Sequence, residues 1–163
     1  MTTMELNYKA LDKIRSEIGD SFYFVHLNKF RHNFEEFVAT FKDFYPRVNV
    51  GYSYKTNYTP ALCEIVDELG GFAEVVSEME YDLAIKIGVS SNKIIVNGPY
   101  KTRSALEHFL LKGSLVNLDS YRESDTLFSI VEENPNATFR VGLRCNFDIN
   151  NATISRFGFD SES

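Results

Sequence analysis

The stretch that decides the fold is Val48-Asn49-Val50-Gly51-Tyr52-Ser53-Tyr54-Lys55-Thr56-Asn57. Strand side chains alternate between two faces, so Val48, Val50, Tyr52 and Tyr54 share one and Asn49, Gly51, Ser53 and Lys55 the other. One face is apolar, and the other is narrow until the lysine. Aromatic and β-branched neighbours signal burial, and a buried lysine must be paired or lose its charge. A lysine that readily becomes a neutral amine is a nucleophile for aldehydes. The competing reading of these ten residues is a strand-end lysine that snorkels to solvent.

Downstream, the pattern repeats. Strand candidates lie at Val48 to Tyr54, Phe72 to Val76, Ile94 to Asn97, Leu115 to Leu118 and Phe139 to Cys145, and a helical stretch follows each of the first four. Starts recur about every 22 residues, the spacing of successive βα units and too long for hairpins. Thr59-Pro60 offers an N-cap with proline in the first turn, and Ser77-x-x-Glu80, Ser104-x-x-Glu107 and Ser120-x-x-Glu123 read as capping boxes. Gly70-Gly71, Gly88 and Gly113 sit where helices should end.

Repeated βα order means a parallel sheet, open or closed into a barrel. The fifth strand candidate splits as the first does, with Arg140, Gly142, Arg144 and Asn146 on one face and Phe139, Val141, Leu143 and Cys145 on the other. A polar, small face suits a barrel interior, whereas central strands of an open sheet are apolar on both faces. Lys55, Asn57, Glu74, Asn97, Asp119 and Arg144 gather at or near strand ends, where (β/α)8 barrels build their active sites. Asp119 and Asn97 serve equally well as turn and cap residues. The fold class is therefore α/β, a partial (β/α)8 barrel with about five of eight βα units, since a complete barrel needs on the order of 250 residues. Edges left open at the first and fifth strands predict aggregation of an isolated chain.

Upstream, Leu6, Ala10, Leu11, Ile14 and Ile18 have helical spacing closed by Gly19, and Phe22-Tyr23-Phe24-Val25 reads as a strand. Phe30, Phe34, Phe37, Val38 and Phe41 place an aromatic stripe on a second helix, read as core packing. Residues 1–28 thus form a leading helix and strand, and residues 29–163 the first part of the barrel.

The 163 residues are 44% hydrophobic and 25% charged, a globular composition. A net charge of -6 and a pI near 5.1 give no general attraction to nucleic acid or an anionic membrane. Cys63 and Cys145 form no CxxC pair, and His26, His32 and His108 share no ligand spacing, so no metal site is expected. Two free thiols and the lack of a signal-like or membrane-length apolar run lead us to expect a soluble cytoplasmic protein.

Tyr52-Ser53-Tyr54-Lys55-Thr56-Asn57-Tyr58-Thr59-Pro60-Ala61-Leu62 resembles the Y-x-x-K-x-N-x-x-P-x-[VL] signature of the fold-type III pyridoxal-phosphate decarboxylases, the diaminopimelate, ornithine and arginine decarboxylase group. The resemblance continues through Glu74-Val75-Val76-Ser77, Asn97-Gly98-Pro99-Tyr100-Lys101, Asp119-Ser120, Leu143-Arg144-Cys145-Asn146 and Ser155-Arg156-Phe157-Gly158, covering Phe22 onward. It implies the alanine racemase type of barrel, with Lys55 holding pyridoxal 5'-phosphate as an internal aldimine and the pyridinium ring as electron sink. By the same resemblance Glu74 lies beside that lysine, and Arg144 either lies near the cofactor or forms a structural ion pair inside the barrel, with Glu74 the candidate partner.

The family's glycine-rich phosphate segment, the acid facing the pyridine nitrogen, the stacked histidine and the C-terminal β-domain with its catalytic cysteine have no counterpart in these residues. In the family the leading strand associates with that β-domain, and the cysteine is given across a homodimer interface. Thr56 replaces a more usual alanine, and Ser21-Phe22 stands where a Thr-Pro pair is common. The implied function is the N-terminal part of an amino-acid decarboxylase, with an amino acid as small-molecule substrate. A racemase of the same fold and a catalytically inactive homologue or partial gene product are the alternatives. The Thr56-Asn57-Tyr58-Thr59-Pro60 run is the decarboxylase-like form.

Overall fold

A computed structural model describes residues 7–147 and 157–160. Two helices lead, α1 (Tyr8–Ile18) and α2 (Leu27–Lys42), and five strands follow: β1 (Gly51–Ser53), β2 (Phe72–Val75), β3 (Ile94–Val96), β4 (Leu115–Leu118) and β5 (Arg140–Leu143). Between them run α3 (Pro60–Glu68), α4 (Glu78–Lys86), α5 (Arg103–Leu111) and α6 (Tyr121–Glu133). All five strands pair in parallel in the order β1-β2-β3-β4-β5. Spatial order equal to chain order is the barrel's pattern; a doubly wound sheet reverses direction at a switch point. The chain folds as part of an α/β barrel.

One face of the sheet carries the core. Ala73, Val75, Ile94, Val96, Val116 and Leu118 meet Tyr81, Ala84, Leu106, Phe109, Leu110 and Ile130 from the helices, all buried. At about 1.5–3 kcal/mol for each large apolar side chain, this outer face holds the sheet and helices together. The opposite face is left to half-buried Glu74, Ile95, Asn97 and Asn117. Gly88 (φ 99°) and Gly113 (φ 81°) end α4 and α5 in the left-handed region that favours glycine.

Several expectations are corrected. Phe22–Val25 forms no strand and Tyr23 is fully exposed, because the segment pairs with no other strand among the described residues. Of the aromatic stripe on α2, Phe34 is buried, while Phe37 and Phe41 are half-exposed and stack on each other at 4.9 Å. The helix rests on α3 by one edge, so its far side stays open. The cap of α5 is Thr102, which accepts from Ala105 N, and not Ser104. Val141 and Leu143, on the outer face of β5, are exposed because no described helix covers them. A short parallel pair, β6 (Cys145–Asn146) with β7 (Phe159–Asp160), lies beyond β5. Leu6 and Ser155-Arg156 lie outside the described residues. No helix among the described residues is long and apolar enough to cross a membrane.

Candidate active site

The polar residues expected at strand ends come from one edge of the sheet. Lys55 follows β1 in a turn closed by Thr56, whose N–H and Oγ1 both donate to Ser53 O, at 3.2 and 2.7 Å. The lysine is exposed, not buried as one reading of its strand had it, because the chain turns at Tyr54 and carries Lys55 past the sheet. Its amine makes no hydrogen bond or ion pair among the described residues. Two residues earlier, Ser53 Oγ is buried with no hydrogen-bond partner, an uncommon state for a hydroxyl. Ser53 is in register with Glu74 on β2. Glu74 accepts from Asn97 Nδ2 at 3.1 Å through Oε1, and Asn97 accepts from Asn117 Nδ2 at 3.3 Å through Oδ1. Lys55 and Glu74 are not paired with each other.

Tyr54 points the other way, buried beside Cys63 on α3. Burial, reinforced by that neighbouring thiol, pushes the Tyr54 phenol well above its ordinary value. Burial also raises the Cys63 thiol, partly offset by its hydrogen bond with Tyr54. This pair is a packing contact of the outer layer.

Arg144 does not reach Glu74. Its Nη1 donates to Asp119 Oδ1 at 3.0 Å, and its guanidinium lies 4.8 Å from the centre of the Phe157 ring. Asp119 also accepts from Gly158 N through Oδ2 at 3.2 Å, so it does more than serve a turn.

Behind these residues the loops are tied down by two buried glutamates. Ser77 and Ser120 cap α4 and α6 as their sequence boxes predict. Their glutamates reach one residue beyond the cap: Glu80 Oε2 accepts from Val76 N at 2.7 Å, and Glu123 Oε2 from Asp119 N at 2.9 Å. Glu123 also accepts from Lys101 N at 2.9 Å and pairs with Lys101 Nζ at 3.0 Å, both side chains at least 96% buried. Lys101 Nζ donates to Gly98 O at 2.6 Å as well. Sequence reading missed this pair; a lysine in the Asn97-Gly98-Pro99-Tyr100-Lys101 turn and a box glutamate one unit on are its only trace. A cavity of about 410 Å³ opens between Ser77, Met79, Tyr100, Lys101 and Phe109, but Lys55, Glu74 and Arg144 do not line it. His26 caps α2 by accepting from Lys29 N, and His108 packs on Tyr81.

A partial α/β barrel with polar side chains gathered at its strand ends is the class of protein that the fold defines. The comparisons narrow that class. The family described as "Pyridoxal-dependent decarboxylase, pyridoxal binding domain" matches residues 30–162, and the chain belongs to it. It is 28% identical to the diaminopimelate decarboxylase of Aquifex aeolicus over 161 residues, covering 93% of this chain and 37% of that protein. It is 30% identical to the ornithine decarboxylase of Caenorhabditis elegans over 128 residues, covering 78% and 29%. Among solved structures, diaminopimelate decarboxylase from M. jannaschii in complex with L-lysine superposes with a TM-score of 0.81 at 26% identity, covering 92% and 38%. The chain thus spans between 29% and 38% of these relatives' lengths.

Proposed function

We propose that this chain is the N-terminal part of a pyridoxal-phosphate-dependent amino-acid decarboxylase in which Lys55 carries the cofactor through its amine. In this reading residues 1–28 are a leading segment, residues 29–163 begin the cofactor-binding barrel, and the full-length protein is a cytoplasmic homodimer. The observation that carries it is the Lys55 amine, without a hydrogen bond or ion pair among the described residues, just after β1 and inside the segment matched by the family. The fit extends to Ser53, whose orphaned buried hydroxyl is available to a bound polar group, and to Glu74, whose Oε2 takes no hydrogen bond among the described residues.

Bound pyridoxal phosphate supplies an electron sink for the pair left at a substrate α-carbon when carbon dioxide departs. Lys55 Nζ would hold the cofactor, Glu74 would supply a negative charge on the neighbouring strand, and Arg144, held by Asp119, would offer a fixed cation on the inner side of the fifth strand.

The test is reduction with borohydride in the presence of pyridoxal phosphate, followed by peptide mapping. Label on Lys55, lost in Lys55→Ala, is the expected result. Label on Lys101 or Lys112 in its place would overturn the assignment. For the reaction, the full-length protein is incubated with L- and D-amino acids in deuterated water. Carbon dioxide release is expected, and α-deuterium exchange with inversion and no carbon dioxide would make it a racemase.

A further inference from the structure

We propose that Asn97 and Asn117 are positioning residues for Glu74, an amide relay across three neighbouring strands for which Gly142 on the next strand leaves the room. The inference rests on the reading of Lys55 and Glu74 given above. Asn117 Nδ2 donates to Asn97 Oδ1 at 3.3 Å, and Asn97 Nδ2 donates to Glu74 Oε1 at 3.1 Å. Both amides therefore point the same way, from β4 toward β2. Turning either would set oxygen against oxygen, so the carboxylate at the end of the row dictates the orientation of both. Aligned amides polarise one another, and the donor that meets Glu74 is the stronger for having Asn117 behind it.

The relay fixes Oε1, and Oε2 takes no hydrogen bond among the described residues. Room for the relay is set one strand further on. Asn117 is in register with Gly142, and a Cβ at that position would stand 2.2 Å from Asn117 Oδ1. No side chain fits there without displacing the amide. The inner-face glycine that made the fifth strand look narrow is thus a space requirement of the relay. No hydrogen bond or ion pair other than the one from Asn97 holds the Glu74 carboxylate among the described residues.

The relay is read first without cofactor, in the ¹⁵N-labelled full chain, from the side-chain amide resonances of Asn97 and Asn117. Glu74→Gln is expected to move both sets; an unmoved Asn117 would overturn the relay. The second readout is the fraction of Lys55 labelled by pyridoxal phosphate and borohydride at limiting cofactor. Asn97→Leu is expected to lower it about tenfold, the low end of the worth of one hydrogen bond to a charged group, and to have no further effect on top of Glu74→Gln. Independent, multiplying effects of the two substitutions would overturn the positioning role. Gly142→Ala and Asn117→Ala, which leave Asn97 and Glu74 chemically intact, are expected to act in the same direction, and thermal unfolding of each variant identifies loss of fold. Should wild-type Lys55 take no label, the function proposed for Lys55 fails, while the amide resonances still decide whether Asn117 and Asn97 hold Glu74.

Discussion

Asp119 holds Arg144: the carboxylate at the end of β4 accepts from the guanidinium at 3.0 Å and, through its other oxygen, from the backbone of Gly158 at 3.2 Å. One buried side chain therefore joins the ends of two strands and the segment that returns to pair with β6. Asp119→Ala should cost about 1–3 kcal/mol of unfolding free energy, toward the lower end because Arg144 is partly exposed and regains water. Urea unfolding measures it.

The Lys101–Glu123 pair is a different case because neither partner can rehydrate. Glu123→Gln leaves the ammonium buried without its counter-charge, and a loss of about 3–5 kcal/mol is expected. Lys101→Met combined with Glu123→Gln should cost less than the sum of the two single changes. A double-mutant cycle by chemical denaturation checks this, and strict additivity would contradict the pairing.

Tyr54 and Cys63 give the protein an alkaline limit. Burial raises both groups, so the unfolded chain releases their protons first, at the ordinary thiol value of 9.0 and phenol value of 10.0. Above those values the unfolded state binds fewer protons than the folded one, and stability falls as pH rises. The denaturant midpoint should decline from pH 9 upward. Tyr54→Phe, which removes one of the two groups, should flatten the decline.

Reactivity should separate the two cysteines. Cys145 is exposed and Cys63 buried, so a disulfide reagent at neutral pH is expected to modify one thiol quickly and the second only on unfolding. Two fast equivalents in the native chain would contradict the packing of Cys63 on α3 against Tyr54.

The 163-residue chain is expected to show no decarboxylation with added pyridoxal phosphate. Phosphate anchoring and protonation of the ring nitrogen supply much of the cofactor's binding and electron-withdrawing power, and the residues that do this in the family lie later in the chain. Carbon dioxide release dependent on the cofactor would refute this.

Regular parts of the fold were legible in the sequence because each rests on a local rule. Period-two apolar runs placed all five strands, and Ser77 and Ser120 announced two helix starts. What was not legible depends on partners far along the chain. Phe22–Val25 has strand composition, but a strand exists only where a ladder receives it. Phe37 and Phe41 have core spacing, yet burial requires a neighbour on that side of α2. Lys55 sits in a strand pattern, and a single turn at Tyr54 carries it into solvent. At the site, Glu74, Asn97 and Arg144 were recognisable as residue types at strand ends, but which partner each would choose was a matter of register. Arg144 took Asp119 on the adjacent strand and not Glu74, three strands away.

Strand order equal to chain order also bears on how such a sheet is made. Each strand pairs only with its neighbours in sequence, so a chain leaving the ribosome can add β2 to β1, then β3 to β2, without waiting for distant segments. Every intermediate has a growing end: an unpaired strand whose outward side is bare until the next helix arrives. Val141 and Leu143 on β5 are such a side, exposed with no helix over them among the described residues.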